Sequence, residues 1–151
     1  MEIIDIKTNQ KFLHEYVALC YLEWSSCKNK IKLEEKIALR YKLVLNDEYD
    51  NIILALGLVD NNKLLGFVSI FKHDSELRKD LSPWYATMYV KKDYRNKGYS
   101  KLLNEDVLEQ ARNLGYSKIY LKTSLVNYYE KFGAIFIEKL DDKENLYYFK
   151  L

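Results

Sequence analysis

Apolar residues recur at two spacings along the first half of the chain, and these spacings predict its helices and strands. Weak alternation over residues 2–6 predicts a short strand. Helical spacing follows from about Lys11 to Lys28 and again from about Leu33 to Val44. A continuous apolar run over Ile52 to Leu58 and a second run over Leu64 to Phe71 flank a polar turn, a pattern typical of a β-hairpin.

The middle of the chain predicts a strand, a helix and another strand in succession. Pro83 precedes an apolar strand over Trp84 to Val90, where a missing N–H is tolerated because it lies at the strand's start. A helix begins just past Gly98 and ends at Gly115, a residue type that commonly closes helices. A strand over Lys118 to Lys122 follows. Such a strand–helix–strand crossover is normally parallel and right-handed.

The last quarter of the chain predicts a short helix and two strands. The helix spans Leu125 to Phe132 and is closed by Gly133. The strands Ala134 to Glu138 and Leu146 to Leu151 flank a polar turn and are expected to pair antiparallel. No repeat, linker or low-complexity segment interrupts the sequence. The order of elements predicts a single α/β domain over residues 1–151.

The composition narrows the classes of function that the chain fits. Its 151 residues are 48% hydrophobic, enough for one core, and a net charge of +2 gives no global field toward nucleic acid or a membrane. No apolar run approaches the ~20 residues of a membrane-spanning helix, and the N-terminus lacks the pattern of a secretory signal. Cys20 and Cys27 lack metal-ligand spacing and fit two reduced thiols. We therefore expect a cytoplasmic protein that binds no nucleic acid, membrane or metal.

A basic turn with one glycine joins the strand that ends at Val90 to the long helix. Four cations crowd this junction: Lys91, Lys92, Arg95 and Lys97. A helix N-terminus offers unpaired backbone N–H groups and the positive end of the helix dipole, and both favour a phosphate. Gly98 lets a pyrophosphate approach the backbone closely because it carries no Cβ. An ordinary surface turn with solvated charges is the alternative interpretation of the same residues.

The pattern Val90-x-x-x-x-Arg95-x-x-Gly98-x-Ser100 resembles the acetyl-CoA pyrophosphate loop of the GNAT superfamily of N-acetyltransferases, in its bacterial single-domain form. A second signature of that family, a tyrosine followed by a glycine and an aromatic residue, resembles the segment from Asn127 to Ala134, about 30 residues downstream. Two departures stand out. Ser100 replaces a preferred Gly or Ala, which a small residue at a helix start tolerates, and Ala134 replaces Phe or Tyr, which alters packing under the pantetheine arm.

The resemblance implies a fold and an activity. The fold is a mixed, mostly antiparallel central sheet flanked by helices, with a parallel strand pair splayed at the cofactor site. The activity is direct transfer of an acetyl group from acetyl-CoA to a primary amine of a small molecule, without a metal. The residues that the resemblance assigns to acetyl-CoA are Met88, Tyr89, Val90, Arg95, Asn96, Lys97, Gly98, Tyr99, Ser100, Lys101 and Asn127.

Within this set the resemblance implies distinct roles. The backbone of Met88, Tyr89 and Val90 would pair with the pantetheine amides like an added strand, and an N–H of Val90 or its neighbour would stabilise the oxyanion. Residues 95–101 would hold the pyrophosphate. Asn127 would either bond to the pantetheine or cap the short helix, and the two roles weigh equally.

The proton-transfer groups are assigned less completely. Tyr129 matches the family's donor to the leaving thiolate, and its spacing to Gly133 favours it over the neighbouring Tyr128. An amine with a free pKa of about 10.4 must lose a proton before it attacks. The candidates that accept this proton are His73, Asp74, Glu76 and ordered water passing it to the backbone.

Three further questions stay open at the level of the sequence. A non-catalytic acyl-CoA sensor or interaction module on the same fold is the first alternative to an enzyme, since a fold does not fix a function. A nucleic-acid binder using the basic turn is the second, and the near-neutral net charge counts against it. The acceptor amine is unassigned. Four aromatic residues either suggest an aromatic or apolar contact with it or belong only to the core: Trp24, Tyr41, Trp84 and Tyr85. A homodimer is compatible with the chain.

Overall fold

The computed structural model describes all of residues 1–151, and seven of its segments form one β-sheet. The strands are β1 (Glu2–Asp5), β2 (Ile52–Asp60), β3 (Lys63–Phe71), β4 (Trp84–Val90), β5 (Lys118–Thr123), β6 (Ile135–Lys139) and β7 (Asn145–Lys150). They lie side by side in the order β1-β2-β3-β4-β5-β7-β6. Every neighbouring pair is antiparallel except β4 and β5, which are parallel. The predicted mixed, mostly antiparallel sheet is confirmed.

Three helices cover the two faces of the sheet: α1 (Gln10–Trp24), α2 (Lys30–Leu45) and α3 (Tyr99–Asn113). The side chain of Asn29 begins α2 by accepting a hydrogen bond from the backbone N–H of Lys32 at 3.0 Å. The chain leaves α3 through Gly115, whose φ of 97° lies in the left-handed region that glycine adopts without strain. The predicted end of this helix is confirmed.

Two apolar cores form because each face of the sheet is covered by a different helix group. On one face, α3 packs its buried residues Leu103, Val107 and Ala111 against β2–β5 and β7. On the other face, α1 and α2 enclose a second cluster that includes Phe12, Tyr16, Ile37 and Val44. The sheet therefore separates the α3 side of the molecule from the α1/α2 side.

The parallel strands β4 and β5 are paired over only a small part of their length. Only Trp84 and Tyr120 lie opposite each other in register, and the Tyr120 N–H bonds to the Pro83 carbonyl at 3.0 Å. Beyond this point the two strands diverge, while β5 stays paired with β7 along its whole length, from Lys118↔Lys150 to Thr123↔Asn145. The splayed pair that the sequence predicts is confirmed, and it leaves a gap in the sheet.

Two sequence predictions of local structure are wrong. The short helix expected over residues 125–132 is a single 3₁₀ turn, Tyr129–Phe132, because Asn127 has a left-handed φ of 59° that interrupts helical geometry. The first helix ends at Trp24 rather than near Lys28, since Ser25 adopts an extended backbone. Ser25 and Ser26 after it line a cavity on the α1/α2 side of the sheet.

Candidate functional site

The gap between β4 and β5 opens into a cavity of about 380 Å³ that passes through the sheet. Tyr99 and Ser100 of α3 line it on one face of the sheet, and Glu23 of α1 lines it on the other. The residues of β4 that border it are Met88, Tyr89 and Val90, and the 3₁₀ turn contributes Tyr129. The structure thus brings both predicted motifs, the basic turn and the downstream tyrosine segment, to one cavity.

The free edge of β4 supplies to this cavity backbone groups that have no partner strand; of these, the Val90 carbonyl accepts a hydrogen bond from the Arg95 side chain. The Lys91 N–H bonds to the Leu65 carbonyl of β3 at 2.9 Å, and Tyr89 lies opposite Phe67. Because backbone groups alternate between the two edges of a strand, those of Met88 and Val90 face away from β3 and into the gap. The backbone of Tyr89 therefore belongs to the sheet, and its ring is the part that lines the cavity.

The turn before α3 has the backbone geometry of an anion-binding loop. Asn96 and Gly98 both adopt left-handed conformations, with φ of 62° and 80°. Successive N–H groups in such a turn point to one side and form a concave nest for anions, and the N-terminus of the 15-residue helix α3 adds its dipole. A Cβ built on Gly98 would meet no protein atom within 4 Å. The residues present therefore fit a bound diphosphate.

The charged and polar side chains around the turn differ in whether they line the cavity. The Arg95 Nε donates to the Val90 carbonyl at 2.8 Å, which holds the guanidinium at the mouth of the gap. Lys97 and Lys101 are exposed; Lys97 contacts the Tyr94 ring and Lys101 pairs with Glu105 at 3.8 Å. Asn127 is exposed and also lies outside the cavity wall, as do both lysines. The phosphate-binding roles of these three side chains stay predictions.

Tyr129 is a buried phenol on the wall opposite β4. Its ring packs edge-on against Tyr85 at 5.7 Å and against Tyr128 at 4.9 Å, and the turn that carries it is closed by Gly133 with φ of 95°. Burial, and to a lesser extent the neighbouring Tyr128, raise the pKa of Tyr129 to about 12. The hydroxyl therefore keeps its proton at neutral pH and is available as a hydrogen-bond donor.

A second, larger cavity of about 630 Å³ adjoins the first along β4. It lies on the α1/α2 side of the sheet and is lined by the next residues of the same strand, Ala86 and Thr87, and by the end of α1. Trp24 lines this cavity, and its ring lies edge-on to Phe67 at 6.4 Å and to Tyr89, a residue of the first cavity, at 6.3 Å. Because it lies beside the first cavity, which is the candidate site for the acetyl donor, the second cavity is the candidate pocket for the acceptor amine, here called the acceptor pocket.

Of the four aromatic residues expected near the acceptor, only Trp24 lines this pocket. Trp84 and Tyr85 are 0% and 1% exposed and belong to the packed interior, which is the alternative role that the sequence left open for them. Tyr41 packs against His14 with ring centroids 5.2 Å apart. An aromatic residue that begins a buried strand has the same local sequence signal whether it faces a ligand or the core.

The three side chains among the candidate proton acceptors have different surroundings in the structure. The backbone N–H and carbonyl of His73 both bond to the side chain of Asn51, and its side chain is exposed outside the acceptor pocket. Glu76 is exposed and pairs with Lys79 at 2.9 Å. Asp74 alone lines the pocket. Burial raises its pKa to about 6, with smaller opposing effects of Lys122 (lowering) and Glu144 (raising).

Sequence reasoning missed four charged residues of the two cavities. Glu23 lines the first, and Arg40, Lys122 and Glu144 line the second. A signal existed for Lys122, since it alternates with the buried Leu121 and therefore lies on the α1/α2 face. No local signal distinguishes Glu144 from the exposed acids of its turn, because only the tertiary fold brings that turn over the pocket.

The raised pKa of Asp74 predicts a pH dependence of stability. Between about pH 4 and pH 6 the folded protein retains a proton that the unfolded chain has released, so the free energy of unfolding falls as pH rises through this range. Asp74→Asn is expected to remove this fall and to leave the variant about 3 kcal/mol more stable than the parent protein at pH 7, with little difference at pH 4. Urea unfolding at both pH values measures it, with the exposed Asp142→Asn as control. A difference between parent and Asp74→Asn that is the same at both pH values would contradict the assignment.

Comparison with known proteins adds a family and several related structures. The sequence model described as the acetyltransferase (GNAT) family matches residues 12–134. The aminoglycoside 6′-acetyltransferase type Ii structure has a TM-score of 0.71 at 18% identity, covering 99% of this chain and 97% of that one. The PaiA N-acetyltransferase from Thermoplasma acidophilum, in complex with coenzyme A, has a TM-score of 0.64 at 17% identity, with both chains covered completely.

One further solved structure holds the acyl donor. The GNAT family acetyltransferase from Elizabethkingia anophelis, with acetyl-CoA bound, has a TM-score of 0.54 at 19% identity and covers 71% of this chain and 82% of its own. At such identities these three structures establish a shared fold. No protein of curated function matches the chain in sequence. None of the helices is both long and apolar enough to cross a bilayer.

Proposed function

The chain belongs to the GNAT acetyltransferase family, whose members are acyltransferases that use acetyl-CoA, and on that premise we propose that it transfers the acetyl group directly to a primary amine of a small molecule. The observation that carries the proposal is the single cavity at the β4–β5 gap. The free edge of Met88 and Val90, the nest around Gly98 and the buried phenol of Tyr129 all line it. We further propose that residues 1–151 act as one catalytic domain.

Each part of this cavity has a defined task in the proposed reaction. The anion nest at residues 96–101 binds the diphosphate of the donor, and the backbone groups of Met88 on the free edge of β4 bind its pantetheine amides as a neighbouring strand would. The Val90 carbonyl already accepts a hydrogen bond from Arg95 Nε. The thioester carbonyl becomes an oxyanion when the amine attacks. The N–H of Val90 faces the gap and is fixed by its strand, so it stabilises that charge without reorganisation.

Tyr129 acts on the leaving sulfur. A cysteine-like thiol has a pKa of about 8.5, well below the value of about 12 for Tyr129. Complete proton transfer from the phenol to the thiolate is therefore uphill. A hydrogen bond donated by the hydroxyl to the developing thiolate is favourable, and it strengthens as the negative charge grows. This role uses the burial of Tyr129, because a hydrogen bond to a charge is stronger where water is excluded.

Asp74 is the group best placed to accept the proton of the attacking amine. It is the only one of the three candidates that lines the acceptor pocket. Its pKa of about 6 makes it a stronger base than a solvated carboxylate, and it is still mainly ionised at neutral pH.

Release of coenzyme A in the presence of single amines tests the proposed function. Purified protein is mixed with acetyl-CoA and a panel of small amines. The free thiol of the released coenzyme A is measured with a chromogenic thiol reagent, and the products are identified by mass spectrometry. Direct transfer predicts intersecting initial-rate lines when both substrates are varied, and no acetylated protein after incubation with acetyl-CoA alone. Parallel lines together with an acetyl group on the protein would contradict direct transfer.

The same experiment separates an enzyme from an acyl-CoA sensor on the same fold. A sensor binds acetyl-CoA, seen by calorimetry, and releases no thiol with any amine. Turnover with at least one small amine supports the proposal. Binding of acetyl-CoA without turnover across the panel would contradict it.

A further inference from the structure

The acceptor pocket contains an arginine that is held by aromatic rings. Arg40 of α2 lines the pocket, and the central carbon of its guanidinium lies 3.9 Å from the ring centre of Tyr49 and 5.6 Å from that of Tyr21. Such cation–π contacts restrict the position of a guanidinium and use none of its N–H donors. Arg40 is therefore oriented by its neighbours without a bound anion.

The N–H donors of Arg40 are unsatisfied within the protein. The seven salt bridges of the chain do not include it, and no carboxylate lies within 4 Å of it. A guanidinium presents its donors as a rigid planar fork, the geometry that pairs with a carboxylate through two parallel hydrogen bonds. Such a preorganised cation on a pocket wall is a receptor for an anionic group of the ligand.

Three further charges line the same pocket: Asp74, Lys122 and Glu144. None of these takes part in a salt bridge either. Asp141 accepts hydrogen bonds from the backbone N–H groups of Lys143 and Glu144, at 2.8 and 2.7 Å, and so fixes the turn that carries Glu144. Together with Arg40 the pocket offers two cations and two carboxylates.

This balance of charge selects among classes of acceptor. A polyamine would bring several cations toward Arg40 and Lys122, and a polyanion would bring negative charge toward Asp74 and Glu144; both meet like charges. A molecule with one anionic and one basic group matches both signs. A volume of about 630 Å³ is within the range of small-molecule pockets.

We propose that the acceptor is an amine that also carries a carboxylate, of the amino-acid class, and that Arg40 binds that carboxylate. The inference rests on the proposed function, because it identifies the substrate class of the same acetyl transfer. Arg40 is a specificity-determining residue in this assignment. Arg40 and Thr87 of β4 line the same pocket, so an acceptor whose carboxylate binds Arg40 lies in the pocket that borders the β4 strand.

Matched acceptor pairs that differ only in the carboxylate provide the test. Lysine and cadaverine, ornithine and putrescine, and phenylalanine and phenethylamine are compared by kcat/KM for coenzyme A release. The parent protein is expected to prefer the carboxylate-bearing member of at least one pair by about tenfold or more, because a bidentate, charge-assisted contact is lost with the other.

Replacement of Arg40 tests whether this residue causes the preference for the carboxylate-bearing acceptor. Arg40→Met is expected to abolish the preference by raising KM for the carboxylate-bearing acceptor about tenfold, with kcat and the use of the decarboxylated amine little changed. Arg112→Met, an exposed arginine near the end of α3, serves as the control and is expected to keep the preference. Thermal unfolding and calorimetric binding of coenzyme A check that each variant is folded.

The outcomes separate this inference from the function on which it rests. Acetylation of amines with equal or better use of the decarboxylated member in every pair would overturn the inference and leave the acetyltransferase proposal standing. A preference that survives in a folded Arg40→Met variant would overturn the role of Arg40. If that variant fails to fold, the substrate class is judged from the preference of the parent protein alone. The role of Arg40 is then tested with Arg40→Lys, which keeps the charge but loses the planar fork, and an unchanged preference in that variant would overturn it. Absence of turnover with every amine would overturn the proposed function itself.

Discussion

Tyr129→Phe is expected to lower kcat about tenfold or more, with the affinity for coenzyme A nearly unchanged. The phenol is buried and keeps its proton, since its pKa is raised to about 12. Its hydrogen bond gains strength only as negative charge builds on the sulfur, so its loss raises the barrier far more than it weakens ground-state binding. Steady-state kinetics give kcat, and calorimetry gives the dissociation constant of coenzyme A.

Two matched variants make this result specific. Tyr148→Phe removes a phenol hydroxyl from β7, beside Lys118 and outside both cavities, and is expected to leave kcat unchanged. Tyr128→Phe removes the hydroxyl of the neighbouring residue and is expected to lower kcat less than Tyr129→Phe does. A larger loss with Tyr128→Phe, or unchanged turnover with Tyr129→Phe, would remove Tyr129 from the proposed mechanism.

Gly98→Val is expected to weaken coenzyme A binding about tenfold or more, because a branched side chain on the anion nest obstructs approach of the phosphates. A Cβ at this position meets no protein atom, so the effect arises from the space that the ligand needs and from the altered backbone. The φ of 80° also makes the substitution strained, at a cost of about 1–3 kcal/mol in stability.

The other end of the same helix offers the control for that strain. Gly115 has a φ of 97° and, like Gly98, no protein atom near an added Cβ, but it lies away from the cavity. Gly115→Val should lose similar stability and retain full affinity for coenzyme A. If calorimetry gives the same dissociation constant of coenzyme A for Gly98→Val and Gly115→Val, the assignment of the phosphate site at Gly98 is refuted.

Local chemistry explains why much of the fold could be predicted from the sequence. The β2–β3 turn contains Asn61 and Asn62, both with positive φ of 49° and 62°, and asparagine tolerates that conformation in a hairpin turn. Gly98 and Gly115 bound α3 at positions where a left-handed backbone is needed. These signals are short-range, so a sequence carries them without knowledge of the fold.

The misjudged segments depend on tertiary context instead. The apolar and aromatic residues from Leu125 to Phe132 have helical spacing, but the Thr123 hydroxyl accepts a hydrogen bond from the Leu125 N–H and Asn127 turns the chain, which leaves one 3₁₀ turn. That shorter turn still places Tyr129 on the cavity wall. Spacing to Gly133 found the residue because the glycine closes the turn in both geometries.

The candidate site divides in the same way. The donor side was predictable because its backbone nest and strand edge come from one contiguous segment, residues 88–100. The acceptor side is assembled from α1, α2, the end of β3 and the loop after it, β4, β5 and the β6–β7 turn. Residues such as Arg40, Lys122 and Glu144 are far apart in sequence, so only the packing of these elements shows that they face one pocket.

A crystal structure of the protein with bound coenzyme A would show whether the turn before α3 holds the diphosphate. The diphosphate is expected within hydrogen-bond distance of the backbone N–H groups of residues 96–101, and the pantetheine arm along the β4 edge at Met88 and Val90. Coenzyme A bound elsewhere on the protein, with the turn before α3 empty or closed by a side chain, would contradict this expectation.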